Sequence, residues 1–389
     1  MGTTRDGKPV FYEPAKATNP HVCAVGSSGT GKTHLIRMLI KEYHARGITV
    51  VALDTQGDIL GHGPSAVRGL INRVGLFYGG AGGASINPMR IAMDESHGGA
   101  VAAVEDVVDC FRVLKGTLGE MQEGELRRLI VGCYKNHGID IEDPATWSKD
   151  CPNWGDLHRY ARNVLLGSYD GRDPEPTPAT APGAGADEVQ APSEEHLKQC
   201  REREEWDAKR VRAISKTLRA LLDTGLFSGD NIGIRRGQVN VIDVSKLKHK
   251  HRQMLIRVLL DRVLGYAIRS TPPEKMNTKL PHTVVILDEA KYAAAAGRGL
   301  FTPLNRIATE GRKYGLGMVV GVQRSEHLTE DQRLNCAVSF GLPVMPEARA
   351  GTAKYLGCMP AMLESIEPRA EAIYRFSDQV PKLIRVRSE

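Results

Sequence analysis

The feature that most constrains the fold of this chain is a glycine-rich octapeptide, GSSGTGKT, which runs from Gly26 to Thr33. An apolar run, HVCAVG at 21–26, precedes it, and apolar residues recur at helical spacing from about Lys32 to Ala45. Glycines in such a loop let successive backbone N–H groups face one anion, and the following helix directs its positive end towards the same anion. The pattern therefore predicts a strand, a phosphate-binding loop and a helix, which begin an α/β fold.

The octapeptide also predicts which residues contact a nucleotide. Lys32 supplies a mobile positive charge for the β- and γ-phosphates of ATP, and the Thr33 hydroxyl can bind Mg²⁺. His34 follows on the helix, where a structural role is the alternative. By chance, roughly a few hundredths of a match are expected in a chain of this length. The predicted nucleotide contacts are Gly26, Ser28, Gly29, Thr30, Gly31, Lys32, Thr33 and His34.

A second motif, HTVVILDE at 282–289, has the form of the other half of an ATPase site. An apolar strand delivers two adjacent carboxylates at its carboxyl end, where ligands of open parallel sheets bind. Asp288 is predicted to bind Mg²⁺, and Glu289 to orient and deprotonate the attacking water. The alternative is a strand that ends in surface acids. The sequence has no N-K-x-D and no L-S-G-G-Q motif, which argues against a GTPase and a transporter-type ATPase.

Short β-branched runs alternate with helical patterns, which predicts an α/β architecture with a mainly parallel sheet. The pattern is helical from 99 to about 166, whereas 168–193 is rich in proline with few large apolar residues, which favours a flexible linker. Further helices are expected at 194–223, capped by Ser193, and at 251–266. We predict an N-terminal extension at 1–20, an ATPase core at 21–95 and 236–389, and a helical insertion at 96–235. The strands are expected at 21–26, 48–54, 239–244, 283–288, 317–323, 337–342, 372–376 and 382–386.

Composition excludes several classes of protein. The 389 residues are 41% apolar and 25% charged, which is typical of globular domains. No apolar run reaches the roughly 18 residues of a membrane span, and the first residues lack a signal-peptide pattern. Seven scattered cysteines without a C-x-x-C pair predict neither a zinc site nor a disulfide framework, and favour a reduced, cytoplasmic protein. The net charge of +6 does not by itself indicate nucleic acid.

The order of these motifs resembles the HerA/FtsK superfamily of hexameric DNA-pumping ATPases, and most closely its HerA-like and conjugative branch. The resemblance implies a RecA-like P-loop NTPase core with an inserted helical subdomain. The small N-terminal β-barrel of archaeal HerA proteins is not matched, because only about 20 residues precede the first predicted strand. The matching segments are NPHVCAVGSSGTGKTH, VVALDTQGDI, INPM, VNVIDVSKL, TVVILDEA and EGRKYGLGMVVGVQRSEHL.

The resemblance implies further functional residues. Gln323 matches a polar sensor that contacts the γ-phosphate and the attacking water, with a simple strand-end amide as the alternative. Arg312 matches the arginine finger that members offer to the ATP of a neighbouring subunit, with Arg306 and Lys313 as rivals. Asp54 lies near the phosphates and assists water activation, unless it only caps the following turn.

The resemblance also implies a homohexamer that uses ATP and Mg²⁺ and holds double-stranded DNA in its channel. Channel loops contact the DNA backbone without reading bases. The expected function is a DNA-translocating motor, without a membrane role, that works with a nuclease or other effector in DNA end processing or anti-phage defence. A ring scaffold that activates a partner, or a monomeric phosphate-loop kinase or switch, remains open. Candidate contacts are Arg324 for nucleotide or interface, and Arg68, Arg73, Lys246, Lys248, Lys250 and Arg252 for DNA.

Overall fold

The chain forms two compact units in the computed structural model. The first comprises Met1–Phe77, Ala81–Ala84 and Ile232–Glu389, and the second Tyr78–Gly80 and Ser85–Asn231. The sequence-based boundaries at 95–96 and 235–236 stay predictions, and the linker expected at 168–193 lies outside the described residues. The structure describes residues 1–11, 16–60, 71–76, 78, 84–91, 99–116, 118–166, 206–227, 229–230, 232–272, 276, 280–294, 302–377 and 379–386.

A largely parallel sheet forms the first unit. Its strands are, in chain order, β1 (Gly2–Thr4), β2 (Pro9–Val10), β3 (Val22–Val25), β4 (Thr49–Asp54), β5 (Ile71–Gly75), β6 (Val239–Asp243), β7 (Thr283–Leu287), β8 (Leu316–Val322), β9 (Val338–Gly341), β10 (Glu371–Phe376) and β11 (Lys382–Val386). Across the sheet they lie in the order β2–β1–β11–β10–β9–β3–β8–β7–β4–β6–β5. Neighbours from β9 to β5 run parallel, and those from β2 to β9 run antiparallel. The predicted α/β class with a mainly parallel sheet is confirmed.

Three strands were not expected from the sequence: β2 and β5, which form the two edges of the sheet, and β1, which lies next to β2. Gly2 pairs with Val386 of β11, so part of the expected N-terminal extension at 1–20 continues the core sheet instead. β1 and β2 have three and two residues, too few to show an alternating pattern. β5 carries a polar Asn-Arg pair in its middle. Pairing at the sheet edges, rather than local sequence pattern, therefore determines these strands.

Helices surround the sheet in the first unit and make up the second. In chain order they are α1 (Lys32–Ala45), α2 (Gly99–Lys115), α3 (Glu120–Asn136), α4 (Trp154–Leu165), α5 (Ala208–Leu222), α6 (His249–Ser270), α7 (Lys291–Ala294), α8 (Pro303–Glu310), α9 (Glu330–Leu334), α10 (Pro346–Leu356) and α11 (Pro360–Glu364). α1 has the expected bounds, and α6 extends beyond 251–266 at both ends. Among the described residues, no helix has the length and apolar content to cross a membrane.

The structure describes the helix expected at 194–223 only from residue 206 onwards, and helical structure begins there at Ala208. α5 starts at Ala208, where the Asp207 carboxylate accepts hydrogen bonds from the backbone N–H groups of Lys209 and Arg210. Aspartate is a strong N-cap because its side chain satisfies N–H groups that have no partner within the helix. Asp207 therefore caps α5, whereas the expected cap Ser193 and residues 194–205 lie outside the described part of the chain.

The core of the first unit supports the phosphate loop from both sides. All four residues of β3 are buried between β8 and β9. Leu35, Ile36 and Leu39 of α1 are buried in the same apolar cluster. Because each such side chain contributes about 1.5–3 kcal/mol when buried, the strand before the loop and the helix after it are both firmly anchored.

The second unit has its own aromatic core. Trp154, at the start of α4, packs against Phe111 of α2 and Phe227, with ring centroids 5.6 and 5.0 Å apart. Asn153 caps α4 by accepting the backbone N–H groups of Gly155 and Asp156. Ion pairs lie on the surface, among them Arg112 with Asp109 and Glu123, and Arg127 with Glu105 and Glu123. This unit therefore has a conventional apolar interior and a paired polar exterior.

Candidate nucleotide-binding site

The carboxyl ends of β3, β8, β7 and β4 meet at one edge of the sheet. The register aligns Val25 of β3 with Val322 of β8, and Leu53 of β4 with Leu287 of β7. Ligands of open parallel sheets bind at this edge. The residues that the edge brings together are the loop Gly26 to Thr33, Asp54, Asp288, Glu289 and Gln323.

Two glycines of the phosphate loop are required by its shape. A Cβ atom at Gly26 would lie 2.7 Å from the Cβ of Leu342, which is closer than side chains approach. Gly31 has a φ of 112°, a conformation that residues with a Cβ rarely adopt. Because Gly31 immediately precedes α1, the loop ends at the first N–H groups of a helix, which have no partners within it.

Lys32 lies folded against its own loop. Its Nζ donates hydrogen bonds to the carbonyl oxygens of Gly26 and Ser27, at 2.6 and 2.8 Å. Burial lowers the pKa of Lys32, while the nearby carboxylates of Glu289 and Asp288 act in the opposite direction. The ammonium group is thus positioned within the loop, close to the carboxylates that follow β7.

Asp288 is a buried carboxylate with a strongly raised pKa at this edge. It is 4% exposed, and its Oδ1 accepts hydrogen bonds from the hydroxyl and backbone N–H of Thr55, at 2.8 and 3.2 Å. Burial raises the pKa of Asp288 to about 7; Asp54 adds to this shift and Thr55 opposes it. Its other oxygen, Oδ2, is buried and has no hydrogen-bond partner. An unsatisfied buried carboxylate oxygen is a natural ligand for a cation.

Asp58 joins this group from the loop after β4. Its Oδ2 accepts a hydrogen bond from the Thr33 hydroxyl at 3.2 Å, and its Oδ1 is buried without a partner. Arg37 of α1 fixes the loop by donating to the backbone carbonyls of Asp58 and Ile59. Asp58 therefore stands beside the threonine that is predicted to bind Mg²⁺.

The residues present fit a magnesium ion. One oxygen each from Asp54, Asp58 and Asp288 lie within 4.8 Å of one another. Mg²⁺ prefers hard oxygen ligands and is usually held by one or two carboxylates, with phosphates and water completing the octahedron. The unpartnered oxygens of Asp58 and Asp288, together with the Thr33 hydroxyl, supply ligands of this kind.

Glu289 and Gln323 form a pair at the same edge. The Gln323 Nε2 donates a hydrogen bond to Glu289 Oε2 at 2.8 Å, and Lys291 Nζ lies 4.0 Å from the same oxygen. Glu289 is 1% exposed, and its Oε1 has no hydrogen-bond partner. The pair leaves one carboxylate oxygen available to accept a proton, which is what a general base requires.

Asp54 makes the contacts of a turn cap. Its carboxylate accepts hydrogen bonds from the backbone N–H groups of Gln56, Gly57 and Ile59, at 3.2, 2.7 and 3.2 Å. Burial raises the pKa of Asp54, although these three hydrogen bonds oppose the shift. Both oxygens are engaged by the turn, so a role for Asp54 in water activation stays a prediction.

Several of these side chains, among them Lys32, Asp288 and Gln323, border one cleft of about 490 Å³, whereas Asp54 and Glu289 do not line it. The cleft includes loop residues, the helix start and the ends of the neighbouring strands, so most of the predicted site lies in a single concave surface. Its lining residues are Ser28, Gly29, Gly31, Lys32, Thr33, His34, Arg37, Gln56, Asp58, Asp288, Gln323 and Arg369.

Arg312, the predicted arginine finger, does not lie in this cleft. It is exposed in a 3₁₀ turn before β8, whereas Gln323 follows the carboxyl end of β8. Seven strand residues at about 3.3 Å each separate the two by roughly 20 Å. The two alternative finger residues each contact another side chain. The Arg306 guanidinium lies 3.8 Å from the Asp261 carboxylate, and the Lys313 ammonium lies over the Tyr314 ring. The structure therefore brings Arg312 to a surface and not to the phosphate loop of its own chain.

The residues predicted to contact DNA differ in their surroundings: two arginines make contacts within the protein, and three lysines are exposed. Arg73 forms an ion pair with the buried Asp243 at 2.7 Å. The Arg252 guanidinium donates to three backbone carbonyls of the turn after β6, so both arginines have structural contacts. Arg68 lies outside the described residues, and the exposed lysines of that turn and the start of α6 are Lys246, Lys248 and Lys250.

Four residues at the site were not identified from the sequence: Thr55, Asp58, Arg37 and Arg369. The DTQGD segment contains a second carboxylate four residues after Asp54, and this signal could have indicated Asp58. Nothing in the local sequence marks Arg369, which reaches the cleft only because the turn before β10 packs against the phosphate loop.

Comparison with known proteins gives partial sequence matches. Residues 2–62 match the family model of the central domain of the helicase HerA. The chain is 33% identical over 109 residues to a probable helicase of Methanocaldococcus jannaschii, and 29% identical over 100 residues to the DNA double-strand break repair helicase HerA of Sulfurisphaera tokodaii. The matches cover 26% and 25% of this chain but only 21% and 20% of those relatives. The chain thus matches about a fifth of the length of each.

Comparison with solved structures covers nearly the whole chain. VirB4 of Thermoanaerobacter pseudethanolicus has a TM-score of 0.73 at 15% identity, over 100% of this chain and 96% of that one. The plasmid coupling protein TrwB in complex with ADP and Mg²⁺ has a TM-score of 0.58 at 16% identity, over 100% of this chain and 89% of that one. At these identities the likeness shows a shared fold.

The fold and the site together define a P-loop NTPase with a RecA-like core. The resemblance to the HerA/FtsK superfamily that the motifs indicate is supported by the match of residues 2–62 to the HerA central domain and by the two helicase matches, each over about a quarter of the chain.

Proposed function

We propose that this chain is an ATP-hydrolysing motor that assembles as a homohexamer and translocates along double-stranded DNA. The observation that carries the proposal is the convergence of Lys32 and Thr33 with Asp288, Glu289 and Gln323 at one sheet edge. The match to a DNA repair helicase and the fold shared with a coupling protein solved with ADP and Mg²⁺ support it.

The contacts suggest how the residues divide the work. Lys32 exchanges the carbonyl oxygens of its own loop for β- and γ-phosphate oxygens of ATP. Thr33, Asp288 and Asp58 hold Mg²⁺, which when bound neutralises phosphate charge. Glu289 takes a proton from a water molecule, whose oxygen attacks the γ-phosphorus while the bond to the β-phosphate oxygen breaks. The products are ADP and inorganic phosphate.

Gln323 is suited to control this step. Its Nε2 donates to one oxygen of Glu289, which leaves the other oxygen for the water. An amide also offers a carbonyl oxygen, so Gln323 can contact the same water while its NH₂ holds the base. We therefore infer that Gln323 orients the attacking water.

Arg312 completes the site of a neighbouring subunit in the proposed ring. It is exposed roughly 20 Å along the sheet from Gln323, so it cannot reach the phosphates of its own loop. Within the described residues its side chain has no ion pair, whereas Arg306 lies near Asp261 and Glu310. An arginine that acts between subunits makes hydrolysis depend on assembly.

Mixing two inactive variants tests this arrangement. Lys32→Ala keeps the finger and loses the loop charge, whereas Arg312→Ala keeps the loop and loses the finger. In an equal mixture about one interface in four combines an intact loop with an intact finger, so about a quarter of wild-type ATPase activity should return. Each variant alone is the control. Activity that stays at the level of the separate variants would place Arg312 outside the site.

DNA translocation and ring assembly are tested separately. Mass measurement with ATP and double-stranded DNA should give six copies, and DNA should raise the rate of ATP hydrolysis. A protein that stays monomeric under these conditions excludes a ring. Rings whose ATPase rate does not respond to DNA would instead favour a scaffold that activates a partner. Mass measurement of a co-purified complex would then show whether a nuclease or other effector is bound.

A further inference from the structure

Arg369 contacts the phosphate loop from the side opposite the carboxylates. It lies in the turn between α11 and β10, and β10 and β9 flank β3 on one side while β8 and β7 flank it on the other. Its Nε donates a hydrogen bond to the Gly29 carbonyl at 3.1 Å, and its backbone N–H donates to the Thr30 carbonyl at 3.2 Å. Its side chain borders the same cleft as Lys32 and Asp288.

The backbone of Arg369 is unusual for a residue with a side chain. Its φ is 66°, in the left-handed region, where the Cβ of a non-glycine residue is strained. A Cβ atom at Gly31 would lie 3.3 Å from the Cα of Arg369, so the turn packs directly on the loop. Glycine would hold this conformation with little strain, and strained residues of this kind concentrate at ligand sites.

The guanidinium of Arg369 has donors that the protein does not use. The other cations of the cleft, Lys32 and Arg37, donate to backbone carbonyls. Arg369 is exposed, and within the described residues its terminal nitrogens make no hydrogen bond or ion pair. A guanidinium with two terminal nitrogens available matches the geometry of phosphate oxygens.

We propose that Arg369 binds the nucleotide held by the phosphate loop of its own subunit, through contacts of its guanidinium with the α-phosphate and ribose end. This inference rests on the proposed nucleotide site. The γ-phosphate belongs beside Asp288 and Glu289, so the opposite side of the loop faces the rest of the nucleotide. Arg369 therefore contributes to affinity, in contrast to the proposed contribution of Arg312 to hydrolysis in a neighbouring subunit.

The glycine variant separates this role from a purely structural brace. Arg369→Gly retains the left-handed backbone and the hydrogen bond to Thr30 but removes the guanidinium. We expect the Kd for Mg²⁺-ADP, measured by calorimetry, to rise about tenfold, because charge-assisted hydrogen bonds are lost. The melting temperature should be equal or higher because the backbone strain at this position is relieved.

Two comparisons make the result decisive. Arg369→Lys retains the charge without the fork and should recover part of the affinity. Arg219→Gln, which removes an exposed arginine paired with Asp223 on α5, should leave the Kd unchanged.

The proposal is overturned if Arg369→Gly binds Mg²⁺-ADP as tightly as the wild type, since the side chain then only braces the loop. A wild type that binds ADP but does not hydrolyse ATP would refute the proposed hydrolysis alone, because the affinity comparison still decides the role of Arg369. A wild type that binds no nucleotide would overturn both.

Discussion

The nucleotide edge of the first unit and the surface of the second unit hold their charged side chains in opposite ways. In the second unit, Arg112 and Arg127 pair with acidic residues that are at least partly exposed. At the nucleotide edge, Asp288 and Glu289 are almost fully buried, and each has an oxygen without a hydrogen-bond partner. Leaving such an atom unsatisfied costs about 1–3 kcal/mol, so the two carboxylates at this edge lower stability, whereas the paired arginines of the second unit carry no such cost.

The largest expected effect of this difference is on catalysis. Glu289→Gln should lower ATP hydrolysis by about 100- to 10,000-fold while ATP still binds, because the general base is lost and the shape is kept. Glu123→Gln removes an ion-paired carboxylate of the second unit and should leave the rate within about twofold. Steady-state phosphate release measures both, and near-normal turnover by Glu289→Gln would exclude it as the base.

The next effect concerns the stability of the second unit. Trp154→Ala should lower the free energy of unfolding by about 3–5 kcal/mol, because it empties the centre of the aromatic core. Trp206 lies under the Arg128 guanidinium at 3.9 Å, and Trp206→Ala should cost only about 1 kcal/mol. Denaturant titration distinguishes them, and equal losses would mean that Trp154 is not the main apolar anchor.

A third effect follows from a buried histidine of the first unit. Burial lowers the pKa of His21 to about 4 from its usual 6.5, against a smaller opposing contribution from the Ala308 backbone. The unfolded chain therefore binds a proton first as the pH falls. The contribution of neutral His21 to the free energy of unfolding is therefore fully present above about pH 6.5. As the pH falls to 4, about 3 kcal/mol of this free energy is lost. His21→Asn should flatten that slope in unfolding titrations; an unchanged slope would assign acid sensitivity to other groups.

The smallest expected effect has opposite signs in the two regions. Without nucleotide or Mg²⁺ at pH 8, Asp288→Asn should raise the free energy of unfolding by about 1–2 kcal/mol, because it removes a buried charge with an unpartnered oxygen. Asp109→Asn breaks a surface pair with Arg112 and should lower it by about 0.5 kcal/mol or less. A loss of stability in both variants would remove the contrast between the regions.

The sequence predicted those strands and site residues whose positions depend mainly on residues nearby in the chain. Buried strands such as β3 and β7 are apolar runs, and the motifs placed Lys32 at the start of a helix and Asp288 and Glu289 after a strand. Thr55 and Arg369 escaped the motifs because sheet pairing and a packed turn bring them to the cleft from distant parts of the chain. For Asp54, sequence left capping and catalysis as equal alternatives, since only coordinates show which N–H groups its oxygens meet.

The position of β3 between β8 and β9 also determines how much of the chain must be synthesised before the phosphate loop can fold. The loop sequence is translated almost 300 residues before β8 and more than 300 before β9, the two strands that hold β3. Pairings of such long sequence separation form slowly, and until they form the loop has no fixed shape. Nascent chains that stall before residue 338 would therefore expose a phosphate-loop sequence that cannot bind nucleotide.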